Sequence, residues 1–193
     1  RLEGMQRVLF GLLVGFLTCG LAQDIIFDDE LVKFYAQGTP EVVKEWLETG
    51  HDVNAVIYRS FQPATYGTSL TISAEQNPSL DVIKLLIKYG ADVNYKAKTE
   101  WDTDYTPFIA SVRNPNVEIM KLLMTFSTGV AGQKSEALWW AVSAGNTAAV
   151  RILLDSGAVY DYAGDAWYRE FPLLIAATNG DSEIVRLLLE SGV

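Results

Sequence analysis

His51 is the only imidazole in the 193-residue chain. No nucleophile stands at a spacing that would make it the base of a reactive pair, so it reads as a turn residue. Asp102 with Asp104, and Asp161 with Asp165, carry the hard oxygen chemistry that suits calcium. Neither pair has the glycine-centred loop of an EF-hand, so both read as solvated acids. The single cysteine, Cys19, falls in a segment expected to be removed, which excludes thiolate zinc sites and a cysteine nucleophile. No glycine-rich phosphate loop follows a strand pattern. The chain is therefore not expected to be an enzyme or to hold a cofactor or metal. What remains is the chemistry of binding.

Aromatic rings with polar tips carry most of that chemistry, because such side chains dominate interface energetics. Three connections are rich in them or longer than their neighbours. Residues 55–67 contain Tyr58, Arg59, Phe61 and Tyr66; residues 95–105 contain Trp101, Asp102 and Asp104; residues 161–170 contain Asp165, Trp167 and Tyr168. Two roles are open to each ring: to fold back over the helices, or to stand out and meet a partner. The connection 130–135 is short and has no aromatic residue.

Residues 5–22 read as a secretory signal: Met5, one basic residue at Arg7, a continuous apolar run over 8–22, and small residues at Gly20 and Ala22. The expected cut follows Ala22 and leaves Gln23 at the new amino terminus. An uncleaved anchor is the alternative, but fifteen apolar residues fall short of the roughly 20 that span a bilayer. The Phe16-Leu17-Thr18 stretch before Cys19 is a poor lipoprotein site. Removal takes Arg1, Arg7 and Glu3, making the balance one unit more acidic than the −9 of the full chain. An acidic surface without a basic aromatic-rich patch argues against nucleic acid. With no cysteine left, stability must come from packing, for which 49% hydrophobic residues are ample.

These residues must be positioned by helices. In Asp81-Val82-Ile83-Lys84-Leu85-Leu86-Ile87-Lys88-Tyr89-Gly90, the apolar residues Val82, Leu85, Leu86 and Tyr89 share one side, and Gly90 is the stop. A helix of this size needs a neighbour to cover its stripe. Copies of its end recur: Leu47, Ile87, Met124, Leu154 and Leu189 align, at intervals of 40, 37, 30 and 35 residues. Twelve residues separate Gly38 from Gly50, Pro78 from Gly90, Gly145 from Gly157 and Gly180 from Gly192. Length thus varies between the repeats and not within the second helix. A first helix precedes it, most clearly at Thr106-Pro107-Phe108-Ile109-Ala110, with threonine as cap and proline at the first helical position.

On these residues, with Gly90-Ala91-Asp92-Val93-Asn94 and the stretch 176–192, the chain resembles the ankyrin-repeat family, whose unit is about 33 residues. The resemblance implies an all-α solenoid of about five helix-turn-helix repeats joined by β-turn fingers, at 29–54, 68–94, 106–131, 136–161 and 171–193, within a domain spanning 23–193 after an upstream segment and signal of 1–22. Repeat one puts Phe34 and Tyr35 where small residues usually sit, as a cap with one neighbour can. Thr71, Ile109, Trp139 and Leu174 stand in place of the family's signature histidine.

The resemblance further implies a protein partner, met through the fingers and through the ends of the first helices: Gln37, Gln76, Arg113, Asn114, Ser143, Thr178 and Asn179. Of Trp139 and Trp140, one ring should enter the core and the other face the groove; Trp140 is taken as the contact. The expectation is an exported binding module, periplasmic or secreted, monomeric, with no membrane contact once the signal is cut. Two alternatives stay open: an arm recruiting substrate for an active part beyond residue 193, and a structural array that self-associates through repeat five. The sequence stops where a further turn would begin, so it reads either as a fragment or as an array capped by its own last helix.

Overall fold

The computed structural model describes residues 25–27, 29–58, 66–98, 104–159 and 172–192. They divide into two compact units, Arg1–Pro107 and Phe108–Val193. The signal-like segment lies outside the described residues.

The first unit contains β1 (Ile25–Phe27), α1 (Asp29–Gln37), α2 (Pro40–Glu48), β2 (Val56–Tyr58), β3 (Tyr66–Gly67), α3 (Ser69–Gln76), α4 (Leu80–Lys88), β4 (Ala97–Lys98) and β5 (Asp104–Tyr105). Helix α4 starts where the Ser79 hydroxyl accepts from the Val82 amide at 3.4 Å. It ends with the Gly90 amide donating to the Ile87 carbonyl and Ala91 to Leu86, both at 3.0 Å. That pattern requires a left-handed residue, and Gly90 supplies it at φ 87°. The buried stripe is Val82, Ile83 and Leu86, with Leu85 and Tyr89 only half-buried. It is rotated from the expected one because the helix is covered from two sides.

First helix α3 is buried almost all round, from Ser69 to Glu75. Its small polar residues meet backbone acceptors: Ser69 Oγ donates to the Val53 carbonyl at 2.6 Å and Ser73 Oγ to the Tyr35 carbonyl at 3.0 Å. Thr71, in the signature-histidine place, lies 3.2 Å from the Thr68 hydroxyl, so two threonines brace the turn. Adjacent turns are also tied. Asn54 Nδ2 donates to the Gly90 carbonyl at 2.9 Å, and its Oδ1 accepts from the Asp92 amide at 2.7 Å.

The fingers hold short strands that the sequence reading did not anticipate. β2 and β3 pair antiparallel, as do β4 and β5, while β1 adds to β2 in parallel. Strands of two or three residues are too short to show a period of two.

The second unit contains α5 (Pro107–Ser111), α6 (Val117–Phe126), α7 (Val130–Ser143), α8 (Thr147–Asp155), α9 (Pro172–Asn179) and α10 (Ser182–Ser191). Its core includes Phe108, Ile119, Met120, Leu123, Leu138, Leu153 and Ile184. The expected boundary between repeats three and four, a connection over 130–135, is not there. Helix α7 begins at Val130 and runs 14 residues. Ser127, standing where other repeats have glycine, stays extended at φ −76°, and the left-handed turn moves to Gly129 at φ 74°. The 30-residue interval leaves no room for a finger, so the chain enters the next helix at once. Lys134 Nζ and Ser135 Oγ donate to the carbonyls of Ser156 and Val159, which anchors the extension.

Candidate functional site

A first helix that is covered on most sides exposes little except its last turn. Gln37, Gln76, Arg113, Thr178 and Asn179 are all exposed there, and Ser143 is half-buried. Asn114 is not. It is fully buried, at 0% exposure, and its Oδ1 accepts from the Asn116 amide at 2.9 Å. Asn77 shows what this position does: its Oδ1 accepts from Ser79, and its Nδ2 donates to the carbonyls of Tyr35 and Gly38 at 3.0 Å. In both, the asparagine precedes a proline, whose lost amide and fixed φ shape the turn that the side chain then holds. Asn114 is thus a structural residue, and its expected place in a binding face is corrected.

Trp140 needs a second correction. It is 5% exposed, and its indole N–H points to Glu136 Oε1 at 3.4 Å. Trp139 meets it edge-on, with ring centroids 4.9 Å apart, and is the more accessible of the two. The Arg113 guanidinium lies 5.8 Å above the Trp140 ring centroid. Such a contact contributes about 0.5–1 kcal/mol at an exposed site. Trp140 therefore supports an exposed cation and does not itself present a contact. The second unit offers Arg113, Trp139, Ser143, Thr178 and Asn179; the first offers Gln37 and Gln76.

Tyr58, at the end of β2, is half-buried and opposite Tyr66 in the antiparallel register. Asp104 pairs with Lys96 at 2.7 Å, its side chain only a third exposed, so part of that finger's acidity is answered locally. Arg59, Phe61, Trp101, Asp102, Trp167 and Tyr168 lie outside the described residues. Among the described residues, no group of acids, histidine or cysteine is arranged to hold a metal ion. No helix there is long and apolar enough to cross a membrane.

His51 is more than a surface turn residue. Its ring stacks on Trp46 with centroids 3.6 Å apart and planes 14° apart. Thr49 Oγ1 donates to the Trp46 carbonyl at 2.6 Å, leaving its lone pair toward His51 Nδ1 at 2.8 Å. Phe34 joins from α1, 5.4 Å from Trp46, and Tyr35 beneath it is buried, which pushes its phenol well above the usual range. The five-residue spacing of Trp46 and His51 across a helix stop is the only sequence signal for this cluster.

A family description reading "Ankyrin repeats (3 copies)" matches over residues 31–131, 70–163 and 108–193. The chain belongs to the ankyrin-repeat family. Among solved structures, the ankyrin-repeat domain of human ASB11 is similar, with a TM-score of 0.66 and 21% identity, over 99% of this chain and 80% of that one. At that identity the likeness speaks to the solenoid fold alone. No curated protein sequence matches significantly. Ankyrin repeats generally mediate protein–protein interaction, and the ankyrin-repeat solenoid places its variable side chains at the helix ends and fingers described here.

Proposed function

We propose that this ankyrin-repeat chain is an exported, non-enzymatic module that binds a protein partner through its first-helix ends and its fingers. One observation carries the reading. The last turns of the first helices keep Gln37, Gln76, Arg113, Thr178 and Asn179 exposed, while the adjacent Asn77 and Asn114 are buried and engaged. Side chains that stabilise the fold and side chains free to choose a partner are thus segregated within two residues of one another. Arg113, held over Trp140, is a cation with restricted motion, which lowers the entropy lost on binding a carboxylate. The aromatic fingers would add area, and acidic residues there would select a partner with basic groups. Export rests on the composition of residues 5–22.

Affinity capture from the protein's own compartment tests the binding face. A chain carrying Gln76→Arg, Arg113→Glu and Asn179→Arg should keep its helicity and recover at least about thirtyfold less partner, the loss of one hot spot of about 2 kcal/mol. A parallel chain with Tyr58, Phe61, Trp101, Trp167 and Tyr168 replaced by alanine tests the fingers. Undiminished recovery by both, with helicity intact, overturns the assignment. For export, expression behind its own residues 5–22 in a secreting host should yield a protein beginning at Gln23. A product that retains residues 8–22 would overturn cleavage.

A further inference from the structure

Strand β2 has two edges, and neither pairs with another repeat's helix. One pairs with β3, matching Ile57 with Gly67 and Tyr58 with Tyr66. The other is taken by β1 in parallel, with Ile25 opposite Val56, Ile26 opposite Ile57 and Phe27 opposite Tyr58. β1 belongs to no finger. It precedes the first repeat, and α1 begins only two residues after it, at Asp29. β2, by contrast, is held by its own side chains, since Val56 and Ile57 are buried. Its outer edge is therefore preformed whether or not β1 lies on it, and an unpaired strand edge is a template for another chain.

The hold of β1 on that edge is weak. Three residues of parallel pairing offer a few hydrogen bonds, each contributing about 0.5–1.5 kcal/mol net. Ordering the same residues costs about 1–2 kcal/mol apiece in backbone entropy. The two nearly cancel, so a competing strand can replace β1 at little cost.

We propose that the outer edge of β2 is a strand-addition site, and that Ile25–Phe27 is its tethered occupant, displaced by an extended segment of a protein partner. It deepens the reading of the chain as a protein-binding module, and rests on it. The occupant in place defines the chemistry accepted: two aliphatic residues and an aromatic one, running parallel to β2. Where β1 ends, α1 begins with Asp29 and Glu30, both exposed, and α1 stays anchored by buried Leu31 and Tyr35. A guest that follows its apolar triplet with lysine or arginine would meet these acids, whereas β1 itself continues into Asp28, Asp29 and Glu30. The partner is accordingly an apolar strand followed by basic residues.

The test uses the full chain carrying Ile25→Pro and Ile26→Pro. Proline lacks the amide donor, and in a parallel ladder one of any two consecutive residues faces the neighbouring strand. Two measurements are made: hydrogen exchange at residues 56–58, and fluorescence anisotropy with a labelled IIFKK peptide. In the variant, these amides should exchange faster. The peptide should bind it saturably, at least tenfold tighter than it binds the wild-type chain and than an IIFDD peptide binds the variant. Unchanged exchange, equal binding to both chains, or no preference for the basic peptide overturns the proposal. Concentration-dependent dimerisation of the wild-type chain that the prolines abolish would assign the edge to a second copy, and would also overturn it. Replacing residues 25–27 by glycine keeps every donor and gives the same readouts should the prolines compromise folding. Peptide binding that persists in the Gln76→Arg, Arg113→Glu, Asn179→Arg chain separates this site from the first-helix face.

Discussion

Replacing Phe108 by alanine is expected to lower the unfolding free energy by about 3–5 kcal/mol, the range for a fully buried aromatic ring. Phe108 is 0% exposed and lies in α5, which has only five residues. A helix that short cannot persist by its own hydrogen bonds, so its place depends on what its side chains fill. Nearby in sequence, Ile109, Val112, Ile119, Met120 and Leu123 are equally buried, and none can move into the vacated volume without leaving another gap. Against a typical total of about 5–15 kcal/mol, the loss is a large fraction. Urea unfolding followed by circular dichroism measures it through the shift in midpoint at constant slope. Phe126→Ala is the control. That ring is half exposed at the end of α6, and its removal should change stability by less than about 1 kcal/mol. Equal losses for the two would contradict the packing described for α5.

Asn77→Ala should cost about 2–4 kcal/mol although it removes a polar side chain. Asn77 is 1% exposed; its amide donates to the carbonyls of Tyr35 and Gly38, and its carbonyl accepts from the Ser79 amide. Truncation leaves buried backbone groups short of a partner, at about 1–3 kcal/mol for each one left unsatisfied. The Tyr35 carbonyl keeps a second donor in Ser73, which tempers the loss there. Asn77→Asp discriminates the mechanism. A carboxylate would still accept from Ser79 but would turn an oxygen toward two carbonyls. Aspartate should therefore be at least as damaging as alanine. Recovery of stability by aspartate, in the same urea titration, would show that capping of α4 alone is what Asn77 contributes.

The helices were legible because their apolar residues recur with a helical period, and Gly50, Gly90 and Gly157 do adopt the left-handed conformation that a glycine after such a run announces. Asn114 was misread because a polar residue at a helix end ordinarily meets water. The recurrence of Asn-Pro at 77–78 and 114–115 was the available sign that this position serves the turn. The entry into α7 was hidden differently. Gly129 and Gly132 bracket a stretch with weak helical preference, and only its tertiary bonds through Lys134 and Ser135 keep it helical. Trp139 and Trp140 differ by one residue, about a quarter turn of helix, and periodicity alone does not say which of two adjacent rings is inward. Repeat lengths, by contrast, did carry information. The 30-residue interval correctly marked the place where no finger fits, though not what takes its place.

The asparagine bonds have a direction. Asn77 in repeat two reaches back to Tyr35 and Gly38 in repeat one, and Asn146 in repeat four reaches back to the carbonyls of Val112 and Asn114 in repeat three. During synthesis the chain grows the same way, amino end first. Repeat one thus leaves the ribosome with carbonyls that only water can answer, and its donor follows 39 to 42 residues later. Repeat three waits 32 to 34 residues for Asn146. In each pair the nascent repeat is finished by its successor, so assembly proceeds with a lag of one repeat behind translation.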